Sequence, residues 1–93
     1  MKKERYKLCL YVAGQTQKSQ RAIENLQKYC KEHLEDNYII EIIDLLKYPH
    51  LAEGEQIVAI PTLIKRLPDP IQVLVGDLSD KEKFLVGLNL IRQ

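Results

Sequence analysis

Apolar and polar positions follow two different periods along the chain, and each change of period marks an element. Leu8 to Val12 is a short apolar run closed by Gly14, which predicts a buried strand. After a loop at residues 14–18, Ala22, Ile23, Leu26, Tyr29, Cys30, His33 and Leu34 recur every three or four positions. That stripe predicts a helix of about five turns, with Lys and Glu on the opposite face. Thr16 is the expected N-cap, and Asp36-Asn37 the stop. Tyr38 to Asp44 is nearly continuous and β-branched, which predicts an interior strand covered on both faces. Strand, helix and strand of these lengths make a right-handed βαβ unit with parallel strands.

The remainder predicts a smaller helix, a hairpin and a closing helix. Tyr48-Pro49-His50 opens the short helix, where the missing N–H of Pro49 costs nothing, and Gly54 marks its end. Val58 to Lys65 contains a strand, Pro68-Asp69-Pro70 a turn, and Ile71 to Val75 an antiparallel return. Ser79 and Glu82 have capping-box spacing, and Phe84, Leu85, Leu88 and Ile91 then line one helical face. The predicted class is α/β, in the order βαβαββα, which is the order of the thioredoxin fold. Pro61 stands where that fold carries a cis-proline before its third strand. The last segment also reads a second way, because Phe84, Val86, Leu88 and Leu90 alternate as a strand would. Gly87 and Asn89 suit neither reading, and a cap at Ser79 favours the helix.

Composition narrows what such a domain does. With 93 residues, the chain is expected to be one domain over residues 1–93. A domain of that size buries roughly 60–65% of its unfolded surface, enough for one core but not for a large multi-step active site. Fourteen Lys and Arg against thirteen Asp and Glu leave a net charge of +1, which argues against a nucleic-acid binder. No run of 18 apolar residues is present, so no membrane span is expected. The basic start is followed by an apolar stretch, Leu8 to Ala13, too short for a signal peptide. With two cysteines 21 positions apart and no export signal, a cytoplasmic setting is expected.

Candidate chemistry is sparse. A thioredoxin-type enzyme carries Cys-x-x-Cys in the loop after its first strand, where a helix N-terminus lowers a thiol pKa. Here that region reads Thr16-Gln17-Lys18-Ser19 and holds no sulfur. Cys9 and Cys30 are expected to be core filling. His33 and His50 lack zinc-ligand spacing, Gly14 stands outside any phosphate loop, and Ser19 has no evident base. Asp44 ends a strand at the carboxyl edge of the sheet, a position that ligand sites use. No enzyme, cofactor or metal is expected, which leaves recognition. Arg21, Lys65, Arg66, Asp69 and Gln72 are the expected exposed polar residues, with Lys65-Arg66 beside the rigid proline turn the best binding edge.

The chain also resembles the KaiB family of circadian-clock proteins. Leu10-Tyr-Val-Ala-Gly14, Thr16, Ser19 and Arg21-Ala22 look like its opening. Ile43-Asp44, Leu46-Lys47, Pro49, Leu51-Ala52-Glu53 and Pro61-Thr62-Leu63 continue the likeness, and Pro68, Pro70 and Gly76-Asp77-Leu78-Ser79 complete it. The resemblance implies a non-catalytic protein that binds a KaiC-type ATPase ring, with KaiA- and SasA-like proteins as further partners. It also implies a metamorphic chain, monomeric when thioredoxin-like and homotetrameric in an alternative βαββααβ fold. Ser79, Gly87 and Asn89 are the positions expected to weigh on that choice, and Arg21, Lys65, Arg66 and Gln72 the expected partner-binding set. In place of the paired arginines usual after the family's proline turn stand Gln72 and Val73, and Asp69 replaces its middle proline. The runner-up is a redox-inactive thioredoxin-like domain that binds a small ligand or peptide in the cis-proline groove.

Overall fold

The computed structural model describes residues 5–55, 57 and 59–90. The elements run β1 (Tyr6–Val12), α1 (Gln17–His33), β2 (Tyr38–Asp44), α2 (His50–Glu55), β3 (Thr62–Leu67), β4 (Gln72–Val75) and α3 (Lys81–Gly87). They form the expected βαβαββα order around a four-stranded sheet with strand order β2-β1-β3-β4. β1 pairs parallel to β2 and antiparallel to β3, and β4 returns antiparallel to β3. The Ile60-Pro61 bond is cis, as are Leu67-Pro68 and Asp69-Pro70. Val58, expected in the third strand, and Ile91, expected on the closing helix, lie outside the described residues.

β1, not β2, is covered on both faces, as is most of β3. Residues 8–12 are all buried because alternate side chains feed two separate clusters. Leu8, Leu10 and Val12 meet Ala22, Leu26 and Cys30 of α1 and Phe84 and Leu85 of α3. Cys9 and Tyr11 meet Ile64 on the other face, where Ile43, Leu45, Ile57 and Ile60 pack against them. β2 is an edge strand with Ile39 and Ile42 exposed, which corrects the interior assignment. Its continuous apolar run is also compatible with a half-covered edge, and only topology separates the two.

The α1 cap is as expected, with the Thr16 hydroxyl accepting from the Ser19 N–H at 3.1 Å. The α3 cap shifts by one residue. Asp80, not Ser79, is the N-cap, and its carboxylate accepts from the Lys83 N–H at 3.0 Å. Ser79 instead donates its N–H to Asp77 Oδ1 at 3.0 Å, closing a turn before the helix. Asp and Ser cap about equally well, so adjacent candidates leave the sequence undecided. The far end is also shorter than predicted. α3 stops at Gly87, and Asn89 adopts φ +59° in the left-handed region. The Leu90 N–H reaches the Leu85 carbonyl at 2.8 Å, and the Asn89 N–H reaches that of Val86 at 3.0 Å. Those two bonds form a Schellman ending, and Asn is among the residues that tolerate its conformation.

Candidate functional site

In the fold as built, the loop after β1 is where thiol chemistry would sit, and it is organised by a carboxylate instead. Asp44, at the end of β2, accepts the Gly14 N–H at 3.1 Å and the Leu46 N–H at 2.9 Å on one oxygen. Those two amides, Gly14 first, hold the Asp44 carboxyl below its ordinary range. Gly14 is at φ +71°, and an added Cβ would fall 2.8 Å from Leu46 Cδ1. From this position at the carboxyl edge of the sheet, Asp44 ties two loops together. Cys9 and Cys30 are both free and buried in the clusters, away from this loop. Burial pushes the Cys30 thiol up to about 12.

The polar residues singled out for recognition divide into three environments. Arg21 is exposed on the first turns of α1, where its Nε lies 3.1 Å from Asp77 Oδ2. Asn25, one turn later, donates to the Asp77 carbonyl at 2.9 Å. Asp77 is held below the ordinary carboxylate range by the Ser79 hydroxyl and amide first, and by Arg21 after them. This small network joins the start of α1 to the segment before α3.

Lys65, expected on the surface, is only 2% exposed. It lies on the interior strand β3, between Leu8 of β1 and Gln72 of β4, so its stem packs within the sheet layer. The ammonium donates to the Pro68 carbonyl at 2.7 Å and stands 5.9 Å from the centroid of the Tyr6 ring. Such contacts compensate a buried cation. Lys65 thus holds the proline turn from inside. Arg66 is half-buried; its Nη2 donates to the Tyr11 hydroxyl at 2.9 Å and its Nε to Cys9 Sγ at 3.4 Å. Gln72 is also half-buried, and its Oε1 has no hydrogen-bond partner among the described residues.

The structure thus brings Lys65 and Gln72 together as cross-strand partners, with Arg66 next in the chain, and leaves Arg21 on a different element. The pairing of Asp77 with Arg21 is invisible in the sequence, because 56 positions separate them and no local spacing connects them. Tyr11 escaped as a polar partner because it lies inside an apolar run. Among the described residues, no group of three His, Cys, Asp or Glu side chains could hold a metal ion, and no helix is long and apolar enough to cross a membrane.

A four-stranded sheet with this strand order, a cis-proline before β3 and no sulfur in the loop after β1 defines a thioredoxin-fold domain without the thiol pair. Structural comparison bears on the fold. The N-terminal domain of SasA from Synechococcus elongatus superposes with a TM-score of 0.77 at 23% identity, covering 100% of this chain and 91% of that one. Chloroplastic thioredoxin z gives a TM-score of 0.77 at 15% identity, covering 95% and 80%. Sequence comparison is narrower. The KaiB domain family model matches residues 9–90. Circadian clock protein KaiB3 of Synechocystis sp. is 47% identical over 91 residues, which is 98% of this chain and 89% of that protein. Circadian clock oscillator protein KaiB of Microcystis aeruginosa is 48% identical over 89 residues, 96% of this chain and 86% of the relative. The chain belongs to the KaiB family.

Proposed function

We propose that this chain is a non-catalytic, cytoplasmic interaction module that binds the ring of a KaiC-type ATPase and regulates its phosphorylation and output. Further partners would be KaiA- and SasA-like proteins. The observation that carries this reading is the combination of a KaiB-family sequence and a thioredoxin-type scaffold whose first loop lacks sulfur. Arg21, exposed and charged, is the proposed rim contact for an acidic surface, with Arg66 and Gln72 contributing from the hairpin. Lys65, buried in this fold, would act through the turn it holds and not by touch. The proposed control is a change of fold to βαββααβ, which would convert a monomer to a homotetramer. Ser79 precedes α3, Gly87 ends it and Asn89 follows it; the apolar positions of this element also fit a strand, and this supports placing the control there.

Co-elution of the purified chain with a KaiC-type ATPase hexamer from the same source tests the reading. We expect a complex whose affinity falls with salt. Arg21→Glu should weaken that complex and flatten its salt dependence, with Arg21→Gln intermediate, since rim charges act mainly on encounter. Failure to co-elute would reject the partner, and an unchanged salt slope in Arg21→Glu would remove Arg21 from the interface.

A further inference from the structure

Among the described residues, the polar and ring contacts from α1 to residues 77–84 all leave one ridge of the helix. Arg21, Asn25, Tyr29 and Glu32 recur at helical spacing, and their partners follow in the same order. Arg21 Nε lies 3.1 Å from Asp77 Oδ2, and Asn25 donates to the Asp77 carbonyl at 2.9 Å. About 16 Å further along the axis, Glu32 Oε1 lies 3.2 Å from Lys81 Nζ, which also stands 5.9 Å from the centroid of the Tyr29 ring. Between the two ion pairs the Tyr29 ring packs on Phe84. The signs run plus then minus along α1, and minus then plus along the facing segment. Reversed docking would set Lys81 against Arg21 and Asp77 against Glu32, so charge admits one direction. Neighbouring charges do not blur this pattern. Lys18 and Glu24 lie one turn either side of Arg21 and offset each other. Lys28 and His33 flank Glu32, and together with Lys81, which acts first, they hold its carboxyl below the ordinary range. Asp80 is committed to the α3 cap, and Glu82 and Lys83 make no ion pair among the described residues.

We propose that this ridge is an ionic latch on α3, through which ionic strength sets how often residues 77–88 open from α1. Apolar burial keeps α3 in place. Phe84, Leu85 and Leu88 are all buried, and each such side chain contributes more than a surface ion pair does. The latch therefore tunes the docking and does not create it. Its four charged side chains are all partly exposed, from 21% for Asp77 to 53% for Arg21, so salt reaches both pairs. α3 has only 7 residues, and a helix so short has little stability of its own once it leaves its support. Screening of the two pairs is thus felt by the whole element. The regulatory consequence rests on the proposed change of fold, in which the same segment would leave α1. There, a severalfold change in opening becomes a similar change in the balance of forms.

Amide hydrogen exchange of the isotope-labelled full chain, followed by NMR, tests the latch without any partner. The Phe84 and Leu88 N–H groups bond to the Asp80 and Phe84 carbonyls and report opening of α3. Between about 0.02 M and about 0.5 M sodium chloride, both should exchange roughly threefold to tenfold faster, while the Leu10 amide of β1 stays unchanged. The Glu32–Lys81 pair supplies the variants, because Arg21 is also the proposed rim contact. A negative charge at the start of α3 favours the helix by itself, so the readout is the coupling between the two positions. Glu32→Lys should accelerate exchange roughly threefold in the native chain, and slow it in a Lys81→Glu background, where it meets glutamate. Size-exclusion chromatography of the same samples reads the change of fold separately. A released latch without a tetramer counts against that change and supports the latch alone. Salt-independent exchange at Phe84 and Leu88, equal acceleration at Leu10, or a Glu32→Lys effect of the same sign in both backgrounds would overturn the proposal.

Discussion

Cys30 illustrates how burial decides what a single side chain can do. Its thiol is raised from an ordinary value to about 12 by desolvation, so it is protonated at neutral pH and a poor nucleophile. A group whose folded pKa is raised contributes stability that is complete below its unfolded value. That contribution is lost as pH rises from about 9 toward about 12. Native chain should therefore resist iodoacetamide at Cys30 at neutral pH and react only in denaturant. Cys30→Ala should remove one component of alkaline destabilisation, read from urea midpoints across that interval. Lys65 makes the complementary case with a cation. Lys65→Glu should cost roughly 3 kcal/mol or more, because a buried charge would lose its compensating contacts. Lys65→Met, which keeps the stem, should cost about 1 kcal/mol. Denaturant unfolding of the two variants separates them. Nothing in Leu-Ile-Lys-Arg-Leu reveals this burial, because a lysine in a strand is ordinarily an outward residue. Its inward position depends on β3 being interior, which only the packed sheet decides.

At the scale of elements, periodicity located each helix and strand, but ends and edges depended on finer competition. Ser79 and Asp80 are neighbouring caps of similar strength, and the helix uses the second. Asp80→Ala should accordingly lower stability by about 1 kcal/mol, and Ser79→Ala by only a few tenths. Thermal unfolding of both variants checks the order, and equal losses would contradict the assignment. At Gly87, propensity alone favours alanine in a helix by about 1 kcal/mol. Packing opposes that gain, since an added Cβ would lie 2.7 Å from Leu74 Cδ2 on β4. The leucine tip must turn to admit it. Gly87→Ala should therefore be more favourable by about 0.5–1 kcal/mol in a Leu74→Ala background than in the native chain, which a double-mutant cycle measures directly. The same limit explains β2, whose apolar run is compatible with an interior or an edge strand until strand order is known.

Across the whole molecule, the order of elements was legible because it rests on local pattern, and the elements of the first half follow that pattern in type and order. The contacts that join distant parts were not legible. Arg21 and Asp77 meet across the junction of α1 and the α3 entry, and the tilted rings of Tyr29 and Phe84 pack with centroids 4.9 Å apart between the two helices. Such pairings follow from topology and not from spacing. They also bear on the proposed change of fold, because residues after Pro61 would give up these partners on α1, while β1 and α1 kept their contacts with each other. The proposed function requires that the chain meet a KaiC-type ATPase in its thioredoxin-like form. Hydrogen-exchange mass spectrometry of the chain bound to a KaiC-type ATPase hexamer addresses this most directly. The account predicts a complex in which Thr62–Leu67 and Gln72–Val75 are protected as a hairpin and Lys81–Gly87 as a helix packed on it. A complex that protects residues 81–90 as a strand while the hairpin exchanges freely, or no complex at all, would contradict it.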